Sequence, residues 1–233
     1  MKHCAQEVIK KALGERASTL VQDGMLVGLG TGTTTSYFID SLVTRCRAGL
    51  KISVVATSAK SLNLAQRGGM RILDLHQVTQ LDLTVDGADE IDPQNRMIKG
   101  GGGALVREKI LASSSKKMIV IVDESKLVPV LGKFGLPVEI VPFCYLTTLS
   151  RIKSLGYDGK MRYSSEGTHY ISDNGNYIFD IHSPQFFPNP EHDHERLDTL
   201  PGVIDTGFFF NLPVQVLVGH NDGSVDFRKR SDG

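Results

Sequence analysis

The sequence has no tryptophan, only three cysteines, and no net charge, with 26 Lys+Arg against 26 Asp+Glu in 233 residues. Balanced charge leaves no basic stripe for a nucleic-acid backbone. The basic run Arg228-Lys229-Arg230 is short and terminal and reads as solvated. No apolar run approaches the ~20 residues of a membrane span. The first residues, MKHCAQEVIKKALGERAS, are charged throughout and lack the apolar core of a signal peptide, so a cytoplasmic protein is expected. Cys4, Cys46 and Cys144 are far apart and show no metal-ligand spacing, which suits reduced thiols. An apolar fraction of 40% is enough for one large core or two modest ones.

The richest stretch is VDGADEIDPQNRMIKGGGGALVREK, residues 85–109. The apolar run Leu81–Val85 reads as a buried strand, and Asp86-Gly87 as the turn that ends it. Asp86, Asp89 and Glu90 therefore fall at a strand end, where open α/β sheets bind ligands. Lys99 precedes four consecutive glycines, Gly100 to Gly103, and a helix carrying Glu108 follows. Glycines let backbone approach a ligand closely, and N–H groups opening a helix attract anions. A solvated acidic face and a flexible loop are the plainer readings of the separate pieces.

Along the chain, residues 3–22 read as an amphipathic helix with Val8, Ile9, Ala12, Leu13, Leu20 and Val21 on its apolar stripe. Met25–Leu29 is a strand, then Gly30-Thr31-Gly32-Thr33-Thr34, then a helix through Tyr37 and Leu42. Strand, glycine-threonine turn and helix together suit a phosphate. No Lys completes a P-loop, and Thr33 stands where a dinucleotide fingerprint needs its third Gly. A single phosphate monoester is the expectation, with Thr57-Ser58 as a second donor set and a tight packing turn as the alternative.

Further strands are expected at 51–56, 70–75 and 116–122, and a helix at 58–67. This alternation predicts an α/β fold with a mostly parallel sheet. After Gly132 the pattern changes to a strand at 136–141, a helix to Leu155, short strands at 160–163 and 168–171, and the hairpin turn Asp173-Asn174-Gly175-Asn176 before Tyr177–Ile181. A helix-like 191–199 and a strand at 203–210 complete a small α+β unit. Val214–Val218 returns to the first sheet, and Ser224–Phe227 ends the chain as a short strand. Glu191-His192-Asp193-His194-Glu195 invites a metal reading, but a solvated loop is expected, because no distant ligands are evident.

With those motifs in place, the chain resembles the ribose-5-phosphate isomerase family of type A over almost its whole length. The resemblance is carried by GLGTGTT (28–34), DGADEID (86–92), KGGGGALVREK (99–109), DESKLV (123–128), LGKFGLPVEIVPF (131–143), SDNGNYIFDIH (172–182) and PGVIDTGFF (201–209). It implies a Rossmann-like α/β domain, residues 1–131 and 207–233, with helices on both faces of its sheet, and a small inserted α+β domain, 132–206. It implies interconversion of D-ribose 5-phosphate and D-ribulose 5-phosphate in the non-oxidative pentose phosphate pathway, without metal or cofactor. By resemblance Glu108 is the base, and Asp86, Asp89 and Lys99 assist ring opening and oxygen protonation. Thr31, Gly32, Thr33, Thr34, Gly87, Ala88, Gly100, Gly101, Gly102 and Lys126 complete the substrate site. A homo-oligomer is implied, a dimer or a tetramer, with no nucleic-acid or membrane partner. TSAKSLN (57–63) and FFFNLPVQVLVG (208–219) depart from the family pattern.

The residues agree with that chemistry. Aldose–ketose isomerisation needs a base for a weakly acidic C–H and donors for an enediolate oxygen. Ala104, Leu105, Ile110, Leu111 and Ala112 around Glu108 predict a partly desolvated carboxylate. Two rival readings have distinguishing needs. A sugar-phosphate sensor would need a DNA-binding domain, and an amino-sugar phosphate deaminase a histidine in the core motifs.

Overall fold

The apolar runs become strands wherever β-branched residues cluster, and glycine, threonine or aspartate ends them. The structure, a computed structural model, describes residues 2–228; Lys229, Arg230 and the side chain of Cys4 fall outside what is described. The first part of the chain forms α1 (Lys2–Ser18), β1 (Leu26–Leu29), α2 (Thr33–Arg47), β2 (Ser53–Ala56), α3 (Ala59–Arg67), β3 (Arg71–Ile72) and β4 (Leu83–Asp86). Next come β5 (Glu90–Ile91), β6 (Met97–Ile98), α4 (Leu105–Ser113), β7 (Met118–Asp123), β8 (Leu136–Ile140), α5 (Tyr145–Ser154), β9 (Gly159–Met161) and β10 (Tyr177–Ile181). The last are α6 (Pro190–Asp198), β11 (Val203–Thr206), β12 (Phe208–Phe209), β13 (Val214–Gly219) and β14 (Val225–Phe227).

The chain divides into two compact units. The first comprises residues 1–88, 107–127 and 212–233 and holds a seven-stranded sheet of order β14-β13-β7-β4-β1-β2-β3. Its strands are parallel except β14, which pairs antiparallel with β13. Strands of a two-sided parallel sheet bury both faces, so they read as continuous apolar runs. Val54 and Val55 of β2 show it: Val54 joins the large core with Leu13, Phe38 and Ile39, while Val55 packs with Leu81 and with Leu111 of α4. The stripe of α1 is Ile9, Leu13 and Ala17, one residue every fourth position, whereas Val8 is exposed. Ile110 is exposed too, so the apolar surroundings expected of Glu108 do not include it.

The second unit comprises residues 89–106 and 128–211. The sequence reading put 89–106 with the first. This segment forms β5 and β6, and a three-stranded antiparallel sheet of order β12-β6-β5 results. A four-stranded antiparallel sheet, β11-β8-β10-β9, surrounds a core of Leu136, Val138, Phe179, Phe187 and Phe208. Residues expected as a strand at 168–171 make only isolated bridges, from His169 to Tyr163 and from Ile171 to Tyr177.

Candidate active site

In the first unit, β1 lies between β2 and β4. The order of strands reverses there, and open sheets bind ligands at the carboxyl ends of the strands beside such a reversal. The loop Gly30–Thr34 leaves the end of β1, Asp86 ends β4, and Lys126 lies in a 3-10 turn directly after β7. All three strands are parallel neighbours, so these residues share one sheet edge.

Asp86 is fully buried and organises that edge. Its Oδ1 accepts from the Thr31 N–H at 3.0 Å and from the Gly87 N–H at 2.8 Å, while the Gly30 N–H donates to the Val85 carbonyl at 2.9 Å. A Cβ at Gly30 would stand 2.0 Å from Asp86 Oδ1, so only glycine lets the loop approach this carboxylate. Gly32 caps α2 without a side-chain hydrogen bond, so the first-turn N–H groups at Thr33 and Thr34 remain available to an anion, at the positive end of the helix. Thr31 Oγ1 and Thr57 Oγ1 are 2.7 Å apart, and Thr57 also donates to the Leu29 carbonyl. Thr57 is fully buried, and Ser58 caps α3 by accepting from the Ser61 N–H. Thr57 therefore buttresses the loop, and Ser58 holds Ser61, whose hydroxyl donates to the Gly30 carbonyl at 2.6 Å.

Glu108 stands in the first turn of α4, 3% exposed. In the second unit, Asp89 Oδ2 accepts from the Gly101 N–H at 2.8 Å. Lys99 is 2% exposed, its N–H donates to the Gly207 carbonyl at 2.8 Å, and its Nζ lies 5.4 Å from the centre of the Phe209 ring. Gly100 is buried, and Gly101 and Gly102 are exposed. Glu90, one of the acidic residues singled out in the sequence, accepts from the Gly132 and Phe134 N–H groups, each at 2.6 Å, and so holds a loop. Gly87 and Ala88 continue directly from Asp86 towards Asp89 and are half-buried.

The His/acid cluster lies on α6 and is not a loop. His194 Nδ1 pairs with the hydroxyl of the buried Thr206 at 2.8 Å, and its ring nitrogens stand with Asp198 and Asp205, whose ligand atoms all lie within 4.8 Å of one another. Its neighbours in that group are thus not the residues adjacent in sequence. Asp198 is exposed and carries no further sign of an ion site.

A sequence model of the family described as ribose 5-phosphate isomerase A (phosphoriboisomerase A) matches residues 53–223. Ribose-5-phosphate isomerase A of Protochlamydia amoebophila is 50% identical over 214 residues, 92% of each chain. This chain belongs to the ribose 5-phosphate isomerase A family. The solved isomerase from Plasmodium falciparum superposes with a TM-score of 0.91 at 33% identity, covering 97% of this chain and 100% of that one. A D-ribose-5-phosphate isomerase solved in complex with phospho-erythronic acid gives 0.89 at 36% identity, covering 95% and 98%. This chain is an aldose–ketose isomerase interconverting ribose 5-phosphate and ribulose 5-phosphate. Among the described residues no helix is long and apolar enough to cross a membrane.

Proposed function

We propose that this isomerase holds its substrate's phosphate on the N–H groups and hydroxyls of Thr31–Thr34, with Gly32 allowing close approach and Lys126 adding charge. The observation that carries this is the open first turn of α2, set at the strand reversal and tied to β4 by the buried Asp86. Glu108 is the base. It takes the proton from carbon 2 of the open-chain aldose, leaving an enediolate whose negative charge lies on the carbon 1 oxygen. It then returns a proton to carbon 1, and the carbon 2 hydroxyl becomes the ketone as its proton passes to the carbon 1 oxygen. Asp86 and Asp89 handle the hydroxyl protons of ring opening, with Gly87 and Ala88 as backbone lining. Lys99 and the N–H groups of Gly100–Gly102 stabilise the oxyanion, where losing one donor costs on the order of a hundredfold in rate. No step calls on a metal or cofactor, so dialysis against EDTA should leave activity unchanged. The enzyme acts as a homo-oligomer in the cytoplasm.

The test is turnover in deuterated water. A proton resting on Glu108 exchanges with solvent, so ribulose 5-phosphate should gain deuterium at carbon 1. Glu108→Gln should fold, bind substrate and lose about a hundredfold or more in kcat. Near-normal turnover of that variant, with loss of both turnover and deuterium incorporation in Asp89→Asn, would move the base to Asp89.

A further inference from the structure

Four glycines in a row are the least restrained backbone a chain can have, and Gly100 and Gly103 take φ of +106° and +74°. A loop that presents N–H groups to an anion needs its peptide planes fixed by something else. In the second unit that role falls to two side chains. Arg162 Nη1 donates to the Gly100 carbonyl at 2.8 Å and to the Gly101 carbonyl at 3.2 Å. The Tyr170 hydroxyl donates to the Gly102 carbonyl at 3.1 Å. Three consecutive carbonyls are thus taken from one side.

The two side chains are themselves anchored. Asp180, on β10, accepts from Arg162 Nε at 2.9 Å and from Nη2 at 2.5 Å. The guanidinium lies 5.8 Å from the Tyr170 ring centre. The Arg162 N–H donates to Ile178 of β10, and the Tyr170 N–H to the Arg162 carbonyl, each at 2.9 Å.

In a trans peptide the N–H points opposite the carbonyl. The carbonyl of Gly100 faces Arg162, and the N–H of Gly101 accordingly reaches Asp89. The carbonyl of Gly102 faces Tyr170, and the N–H of Gly103 closes a turn onto Gly100 at 2.9 Å. The peptide between them has its carbonyl on Arg162, so the Gly102 N–H is turned away from the guanidinium, and it has no acceptor among the described residues. A cation on the carbonyl also polarises the peptide and strengthens its N–H as a donor.

We propose that Arg162, gripped by Asp180 and assisted by Tyr170, is a positioning residue for the isomerisation, clamping the glycine loop so that the Gly102 N–H is a preset oxyanion donor. The proposal rests on the reading of this loop as part of the substrate site. It is tested by measuring kcat and KM for ribose 5-phosphate, the inhibition constant of 4-phosphoerythronate and the thermal midpoint in Arg162→Gln and Arg162→Ala. A preset donor acts on the developing charge, so kcat should fall about tenfold or more while KM stays within about threefold. The inhibitor, whose carboxylate imitates the enediolate oxygens, should weaken by a similar factor, and millimolar guanidinium should restore part of the kcat of Arg162→Ala. Wild-type kcat in Arg162→Gln overturns the proposal. So does a loss that follows the unfolded fraction, spares inhibitor binding and resists guanidinium, because that pattern is structural. Lys99→Ala is the control: if it turns over normally and binds the inhibitor as the wild type does, the reading of this loop as part of the site has failed first, and the proposal falls with it.

Discussion

Lys99 and Lys126 carry the same charge in different surroundings. Lys99 is buried to 2% exposure against the Phe209 ring, with its backbone fixed by Gly207, while Lys126 is half-buried in a turn that Asp123 caps. An ammonium removed from water is costly, so a buried one belongs where it meets a partner charge or a developing one. Lys99→Ala should therefore lose kcat by about a hundredfold with a modest change in KM, and Lys126→Ala should chiefly raise KM. Steady-state kinetics on ribose 5-phosphate decide this, and the opposite ranking would exchange the two roles. Residue types and their order in the sequence mark most of these positions. They do not disclose which acid serves the fold. Glu90 and Asp86 look alike in sequence, yet Glu90 holds a loop through two backbone N–H groups, and Asp86 ties the Gly30–Thr34 loop to β4. Such partners lie tens of residues away, and only the packed chain brings them together.

Among the elements, the parallel strands were legible because burial on both faces writes an apolar run into the sequence. The two-residue strands β5 and β6 were not, since β6 is made a strand by β12, over a hundred residues away, and β5 by its pairing with β6. The hairpin at 172–176 was legible from its turn residues, but its anchor was not. Glu139 lies fully buried on β8 and its Oε1 accepts from Ser172 Oγ, Asn174 Nδ2 and Asn176 Nδ2 at 3.0, 3.1 and 2.8 Å. Glu139→Ala would leave those donors without their acceptor and should cost about 3 kcal/mol of stability, against less for Glu139→Gln, which keeps an oxygen there. Urea denaturation of both variants measures the difference; equal losses would assign the cost to packing. The β13–β14 edge carries a pH-dependent tie. The hydrogen bond from the His220 ring to the Glu124 carboxylate, with the charges of Asp226 and Asp222, raises the pKa of His220 above its ordinary value in spite of some desolvation. A raised folded-state pKa stabilises fully below the unfolded value of about 6.5 and is lost as pH rises through the folded one. Hydrogen exchange of the β14 amides should therefore be better protected, after correction for intrinsic rates, at pH 6 than at pH 8.5, and His220→Gln should abolish that difference.

At the scale of the whole molecule, the chain passes from one unit to the other within four residues of Asp86 and again inside α4, just before Glu108. That is why motifs that run consecutively from 85 to 109 are divided between the two units, and why boundaries drawn from pattern alone put this segment in one. The proposed homo-oligomer can be tested on what the second unit leaves exposed. Tyr145, His169, Tyr163 and Tyr177 form a ring stack with centroid separations of 4.8 to 5.5 Å. Tyr163 within it is 56% exposed, and its members' neighbours in sequence are exposed too: Phe143 82%, Leu146 67% and Ile171 62%. Single exposed apolar residues are ordinary, but several close together would suit a surface that another protein covers. A second copy of the same chain is the economical occupant, since a two-fold interface uses one patch twice. Sedimentation of the wild type at micromolar concentration should then give at least twice the monomer mass of 25.5 kDa. Phe143→Ser with Leu146→Ser should shift it to the monomer while leaving the far-ultraviolet circular dichroism unchanged. A wild type that sediments as a monomer would remove the homo-oligomer. A double variant that stays assembled would place the interface elsewhere, with the exposed Val8 of α1 and Ile110 of α4 the next residues to change.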